Sequence, residues 1–163
     1  MGAAGVGNRG YRRTVPCIYA SPLVNAQQNQ TDADFDVLGI GNALVDVLSS
    51  EEDDFIIRLG LVKNSMTLID TDRAEEIYAA MGDKTEMSGG SAANTLSGVA
   101  SFGGRAAYIG RVRDDGLGKA FAHDLNSLGV HFSAATTTEG DPTGRCMIIV
   151  TPDGERTMNT YLG

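Results

Sequence analysis

The stretch Ser88-Gly89-Gly90-Ser91-Ala92-Ala93-Asn94-Thr95 contains the strongest structural signal in this chain. Two adjacent glycines allow backbone N–H groups to approach a ligand closely, because neither residue has a Cβ atom. The apolar positions that follow have helical spacing, and Gly103-Gly104 ends that helix. Since Asn94 lies four residues after Gly90, one helical turn brings its amide back toward the glycines. The stretch therefore predicts a helix that begins at a ligand-binding turn.

Extended segments and helices alternate along the rest of the chain. Phe35–Gly41 is apolar and β-rich, and we expect it to be a central strand. Asp72 with Glu75 predicts the start of a helix. We predict further strands at 66–69, 85–87 and 105–112, helices around 74–81, 92–100 and 117–128, and a β-hairpin at 144–151 and 155–161. This order predicts an α/β fold: about half of a doubly wound, mainly parallel sheet with helices on both faces, plus a small hairpin.

Composition and charge restrict the class of partner. The chain has 163 residues and a net charge of −8, while residues 1–31 carry +3, so the remainder carries −11. A nucleic-acid binder needs a basic face, and we therefore expect no nucleic-acid partner. No apolar run approaches the roughly 18 residues that span a bilayer, so we expect no membrane segment.

The first 31 residues differ from the rest because they contain arginine but neither Asp nor Glu. They predict either a disordered tail or an organelle transit peptide, and the domain boundary lies at 31–32. The location is accordingly cytoplasmic, or plastid or mitochondrial if the segment is a transit peptide. Cys17 and Cys146 match no metal-ligand spacing, and we expect free thiols in a reducing compartment rather than a disulfide.

Two nucleotide-binding motifs are nearly present but fail. Gly39-Ile40-Gly41 begins a dinucleotide-binding pattern that requires glycine where Leu44 stands. Gly118-Lys119 resembles a phosphate loop, but Ala120 replaces the required Ser or Thr. We therefore exclude a dinucleotide oxidoreductase. No metal-ligand cluster is recognisable, and the two histidines belong to no nucleophile motif.

Two segments together resemble the PfkB or ribokinase family of sugar and nucleoside kinases. They are Gly41-Asn42-Ala43-Leu44-Val45-Asp46 and the glycine–asparagine turn at 89–94. The resemblance covers 35–163 and includes Gly110–Gly118, which is similar to the family's G-x-V-G-x-D-x-x-G stretch although Arg113 stands where glycine is usual. Thr143-Gly144-Arg145 is similar to the start of the family's β lid. The resemblance implies a ribokinase-like fold with such a lid, and it allows a homodimer formed through that lid.

The resemblance also implies a substrate site. In the family, the acid after the first strand binds two sugar hydroxyls, and this role falls on Asp46. Asn42, Gly89, Gly90 and Asn94 match other positions that line the family's substrate pocket. The spacing from Asn42 to Asp46 looks more like adenosine kinase than ribokinase, but the substrate stays open between a sugar and a nucleoside.

Family members use ATP and Mg²⁺ to phosphorylate a hydroxymethyl group, and their general base is the last residue of a D-T-x-G-A-G-D motif. This chain does not contain that motif. We therefore assign no catalytic, ATP-binding or metal residue, and we expect the substrate-binding half of a kinase that is inactive alone. Such a half could come from a truncated gene model, a splice form or a cloned fragment. The alternative is a non-catalytic sugar- or nucleoside-binding or interaction module.

Overall fold

The structure is a computed structural model, and it describes residues 33–133 and 136–163. The elements, in chain order, are β1 (Val37–Ile40), β2 (Leu44–Ser50), α1 (Asp53–Arg58), β3 (Met66–Leu68), α2 (Thr71–Ala80), β4 (Thr85–Gly89), α3 (Ser91–Ser101), β5 (Ala106–Ile109), α4 (Gly116–Ser127), β6 (Val130–Phe132), β7 (Gly144–Val150) and β8 (Arg156–Tyr161). Cys17 and the tail at 1–31, with its transit-peptide alternative, lie outside the described residues, and those assignments stay predictions.

These strands form two sheets. In the three-stranded sheet, β5 lies between β1 and β6, and all pairings are parallel. The second sheet has the order β3-β8-β7-β2-β4 and mixes parallel with antiparallel pairs. We call this five-stranded sheet the lid sheet, because it contains the predicted hairpin as β7 and β8. The α/β class and the hairpin are thereby confirmed.

The lid sheet is larger than the small hairpin expected from the sequence. Met66–Leu68 and Thr85–Gly89, which we expected in the parallel sheet, pair in the lid sheet instead. Leu44–Ser50 is an additional strand that the sequence analysis missed, and it lies between β7 and β4 in this sheet. The expectation failed because an alternating order of strands and helices does not specify which sheet a strand joins. For the same reason β1, expected at the centre, lies at one edge of the three-stranded sheet.

Within the described residues, both helices that pack on the three-stranded sheet lie on one of its faces. Ala106 and Tyr108 belong to the same buried cluster as Leu96 of α3 and Phe121 of α4. The other face has no such cover, since three of its side chains, Leu38, Ile40 and Ile109, are 57%, 74% and 49% exposed. In residues 33–133 and 136–163, helices therefore cover one face of this three-stranded sheet.

The start of α2 also differs from its predicted position. Asp70 is the N-cap, and its side chain accepts a hydrogen bond of 2.9 Å from the Arg73 N–H. Asp72 lies inside the first turn, where its negative charge interacts favourably with the helix dipole. The helix therefore begins about three residues earlier than the apolar stripe from Ala74 to Met81 indicated, because a cap is defined by its hydrogen bond and not by hydrophobic periodicity.

Tyr108 is at the centre of an aromatic cluster with Phe121 and Phe132, at ring-centroid distances of 5.5 Å from each. Its hydroxyl is buried and has no hydrogen-bond partner among the described residues. Burial raises the pKa of Tyr108 to about 12, because the charged phenolate is poorly solvated there. In the unfolded chain, the Tyr108 hydroxyl ionises near the ordinary tyrosine pKa of about 10.

The raised pKa of Tyr108 predicts that the protein loses stability at alkaline pH. Tyr108→Phe should remove this loss, because phenylalanine does not ionise. A raised pKa in the folded state contributes stability that is fully present below about pH 10 and is lost as the pH rises toward about 12. The phenylalanine variant should therefore be at least as stable as the parent near neutrality and should lose less stability above pH 10. Thermal melts of both proteins between about pH 8 and about pH 11 measure the difference. Parallel alkaline losses in the two proteins would contradict it.

Candidate functional site

Asp46 lies in the middle of β2 and points away from the buried core. Its neighbours Val45 and Val47 are fully buried on the inner face of the lid sheet, and successive side chains of a strand alternate between faces. On the outer face, Asp46 is in register with Met87 of β4 and Cys146 of β7. We expected Asp46 at the end of the first strand, but a separate strand positions it.

Gly89 packs directly against the carboxyl group of Asp46. A Cβ atom at Gly89 would lie 2.3 Å from the Asp46 Cγ and 2.4 Å from both carboxylate oxygens. Real Cβ atoms do not approach so closely, and both oxygens belong to the group that would have to move. The absence of a side chain at position 89 is therefore what allows the carboxylate to occupy its present place.

Gly90 connects this carboxylate to the start of α3. It has a φ of +90°, a conformation that glycine adopts without strain, and a Cβ there would lie 3.2 Å from the Asn42 carbonyl oxygen. Gly90 is the N-cap of α3, with no capping side chain. Ser88, two residues earlier, does not cap this helix. The first N–H groups of α3 consequently have no side-chain acceptor of their own.

Asn94 is on the first turn of α3, where its backbone N–H donates to the Gly90 carbonyl at 3.0 Å. The side chains of Asn94 and Asn42 are both exposed. The structure thus places Gly89 beside the Asp46 carboxylate, Gly90 beside the Asn42 backbone, and Asn94 one helical turn after Gly90. A carboxylate, two amides and free helix N–H groups can together accept from and donate to a polyhydroxylated ligand.

The electrostatic environment of Asp46 is unusual for a structural acid. Burial raises the pKa of its carboxyl above the ordinary value. Among the described residues, no lysine, arginine or histidine forms an ion pair with it. Burial likewise raises the pKa of the adjacent Cys146 thiol, partly offset by a hydrogen bond from Thr160, and the negative charge of Asp46 raises it further. An unpaired, half-buried carboxylate is available to accept hydrogen bonds from a ligand.

A cavity of about 440 Å³ opens beside Asn42. It lies past the carboxyl ends of β1 and β5, which is where α/β sheets usually bind ligands. Its lining comes from 41–43, 111–113, 137, 139–144 and 162–163. Of the five predicted residues, the lining includes Asn42 and not Asp46.

The glycines of the failed dinucleotide motif have a packing role. A Cβ at Gly39 would lie 2.8 Å from the Leu96 side chain, and one at Gly41 would lie 2.9 Å from the Cβ of Ala92. Both glycines therefore allow α3 to pack closely on β1 and on the residue that follows it. Within residues 33–133 and 136–163, no group of three or more His, Cys, Asp or Glu side chains could hold a metal ion. None of the helices described there is long and apolar enough to cross a membrane.

Taken together, the parallel sheet, the lid sheet and the glycine turn after β4 define an α/β protein of the ribokinase-like class. Residues 55–163 match the description "pfkB family carbohydrate kinase". The chain belongs to this family. Gly89, Gly90 and Asn94 lie inside the matched segment, while Asn42 and Asp46 precede it.

Known relatives extend the similarity over most of the chain. Guanosine-inosine kinase of Escherichia coli K12 is 26% identical over 166 aligned residues, covering 93% of this chain and 37% of that protein. The crystal structure of adenosine kinase from Sinorhizobium meliloti has a TM-score of 0.73 and 55% identity, covering 80% of this chain and 40% of that one. A probable sugar kinase from Rhizobium etli CFN 42 gives 0.73 and 52%, with 80% and 39% covered. This chain spans about two fifths of the relatives' length.

Proposed function

We propose that this protein provides the substrate-binding part of an ATP-dependent nucleoside or sugar kinase that phosphorylates a hydroxymethyl group. The observation behind the proposal is the unpaired Asp46 carboxylate seated against Gly89. Two carboxylate oxygens match the two hydroxyls of a vicinal diol, and a hydrogen bond to a charged group contributes about 1.5–3 kcal/mol. Such an acceptor suits a ribose or a similar sugar.

The other four residues complete the proposed pocket. The exposed amides of Asn42 and Asn94 donate to and accept from the remaining ligand oxygens. Gly89 and Gly90 allow the ligand to contact the backbone at the start of α3, where N–H groups are unpaired by side chains. We favour a nucleoside over a free sugar, because the spacing from Asn42 to Asp46 resembles that of adenosine kinases and two of the relatives are called nucleoside kinases.

The proposal includes ATP and Mg²⁺ as cofactors of the working kinase, but it assigns no residue of this chain to bind them. No metal-binding cluster lies in the described part of the chain, and the family's general-base motif is absent from the sequence. Phosphoryl transfer depends on positioned charges around the phosphates and metal. We therefore expect the 163-residue chain to bind substrate without transferring phosphate. The homodimer through the lid sheet stays a prediction.

The exposed face of the three-stranded sheet helps to distinguish part of a kinase from the alternative, an independent binding module. Leu38, Ile40 and Ile109 are exposed there together, and contiguous apolar surfaces of this kind promote association. A kinase of the relatives' length has further chain available to cover that face. The chain on its own should therefore associate at high concentration, whereas an independent module should remain monomeric with a cooperative melt. Size-exclusion chromatography distinguishes the two.

Calorimetry and a phosphorylation assay on the purified chain test the proposal. We expect adenosine, guanosine or ribose to bind, and we expect no ATP-dependent turnover of any of them. Turnover would contradict the assignment of the catalytic parts to residues beyond this sequence. Absence of binding to every nucleoside and sugar, in a preparation that melts cooperatively, would contradict the proposed substrate site.

A further inference from the structure

Asp115 and Thr143 form a hydrogen-bonded connection between the two sheets. The Thr143 N–H donates to Asp115 Oδ2 at 2.9 Å, and the Thr143 hydroxyl donates to Asp115 Oδ1 at 2.8 Å. Asp115 Oδ1 also accepts from the Gly118 N–H at 2.8 Å, which caps α4. The Arg113 N–H in turn donates to the Thr143 hydroxyl oxygen at 3.0 Å. We call this set of four hydrogen bonds the Asp115–Thr143 clamp.

The clamp joins parts of the molecule that are far apart in sequence. Asp115 is the N-cap of α4, which packs against β6 of the three-stranded sheet and also against β4 and β2 of the lid sheet. Thr143 immediately precedes β7, a central strand of the lid sheet. Thr143 is only 3% exposed, so water does not readily replace these bonds. One carboxylate therefore fixes where the lid strand starts relative to the helix.

Neighbouring glycines show how tightly this junction is packed. A Cβ at Gly118 would lie 2.1 Å from the Arg113 carbonyl oxygen, and one at Gly144 would lie 2.6 Å from the Leu162 carbonyl oxygen. Burial by itself would raise the pKa of Asp115, but the hydrogen bonds from Thr143 and Gly118 lower it below its ordinary value. The carboxylate is therefore charged near neutrality and can accept all three donors.

The clamp is connected to Asp46 through the ladder between β2 and β7. Gly144, the first residue of β7, pairs with Leu44, and two residues further Cys146 pairs with Asp46. A shift at the start of β7 would therefore be transmitted directly to the strand that carries Asp46, because a hydrogen-bonded ladder preserves its register.

We propose that Asp115 and Thr143 are positioning residues that hold β7, and through it Asp46, in the arrangement that binds substrate. The part of this proposal that concerns substrate depends on the proposed function. The part that concerns the position of β7 does not, and the free thiol of Cys146 reports on it directly. Cys146 is buried in β7, so its reaction with a thiol reagent requires local opening of the lid sheet.

The experiment compares Thr143→Val with Thr143→Ser in a Cys17→Ser background. Valine has nearly the same size but loses the hydroxyl and leaves the Arg113 N–H without its acceptor, whereas serine retains both bonds. Under native conditions, we expect the valine variant to label at Cys146 about tenfold faster or more, which is the loss expected for a buried charge-assisted hydrogen bond. The serine variant should label within about twofold of the parent. Asp115→Asn supplies a second test if the valine variant fails to fold.

Val130→Ala is the matched control, since it removes buried volume from β6 in the other sheet. It should lower the melting temperature without accelerating Cys146 labelling at temperatures well below the melt. Equal acceleration by Val130→Ala and Thr143→Val would show a general loss of stability and would overturn the proposal. Unchanged labelling in both Thr143→Val and Asp115→Asn would also overturn it.

Ligand calorimetry on the same variants separates this proposal from the proposed function. Weaker nucleoside or sugar binding in Thr143→Val, restored in Thr143→Ser, supports both. Faster Cys146 labelling in Thr143→Val than in the parent, combined with no ligand binding by the parent, would retain the clamp and reject the substrate site. Normal binding together with fast labelling in Thr143→Val would overturn the link from the clamp to Asp46.

Discussion

Replacing Asp46 with asparagine is expected to reduce nucleoside or sugar affinity by at least about a hundredfold, which corresponds to about 2.7 kcal/mol. The substitution preserves size but removes the charge and replaces one acceptor oxygen with a donor. Both hydrogen bonds to a diol would therefore be weakened or lost. Isothermal titration calorimetry at neutral pH measures the effect. The matched control is Asp54→Asn, because Asp54 is an exposed acid on α1 outside the proposed pocket. The Asp54→Asn variant should bind the ligand with the same affinity as the parent.

The Asp46→Asn substitution should not destabilise the fold. Burial raises the pKa of Asp46, so the folded state favours the protonated carboxyl. For such a group, the contribution to stability is present below the unfolded-state pKa and is lost as the pH rises through the folded-state pKa. At neutral pH the charged Asp46 is therefore a cost, and Asp46→Asn should melt at the same temperature or higher. A lower melting temperature together with lost binding would indicate a structural role instead.

The raised pKa of Asp46 also predicts how affinity depends on pH. A diol that donates two hydrogen bonds prefers the ionised carboxylate. Affinity of the parent for a neutral nucleoside or sugar should therefore rise with pH through the raised pKa of Asp46 and then remain constant. The Asp46→Asn variant should lack this rise. A parent protein whose affinity is constant from acidic to neutral pH would remove Asp46 from the binding contact.

Gly89→Ala should abolish binding by displacing the carboxylate, although position 89 supplies no side chain to the ligand. The new Cβ would lie 2.3 Å from the Asp46 Cγ, so the Asp46 side chain or the β2–β4 pairing must move. Insertion of a methyl group into such a site costs about 1–3 kcal/mol of stability. We therefore expect affinity as low as that of Asp46→Asn, and in addition a lower midpoint in urea.

Gly98→Ala is the control for this substitution. Gly98 lies within α3, and nothing is within 4 Å of a Cβ placed there. Alanine inside a helix is more favourable than glycine by about 0.5–1 kcal/mol where its methyl group has room. This variant should therefore bind normally and unfold at slightly higher urea. Normal binding by Gly89→Ala would show that the carboxylate can relocate without loss of the site.

The glycine turn and the residues around it were predictable because their geometry is local. Gly89-Gly90 begins a helix at which Asn94 returns toward the glycines, and helical spacing alone determines that proximity. The hairpin at β7 and β8 was predictable for a similar reason, because the turn signal Pro152-Asp153-Gly154 lies between two segments that we predicted to be extended. The family resemblance was recognised from the segment at 41–46 together with the glycine–asparagine turn at 89–94, and the match to residues 55–163 confirms it.

Tertiary structure alone decided which sheet each strand joins and what surrounds Asp46. β2 pairs with β4 and β7, whose sequences lie about 40 and about 100 residues further along the chain, and such pairings depend on burial of whole faces rather than on local pattern. The contact of Gly89 with Asp46, the position of Cys146 and the Asp115–Thr143 clamp all result from those pairings. Amino-acid order thus determined the local turns and helices, whereas packing between distant strands determined the site, because side chains meet across a sheet only after its register is established.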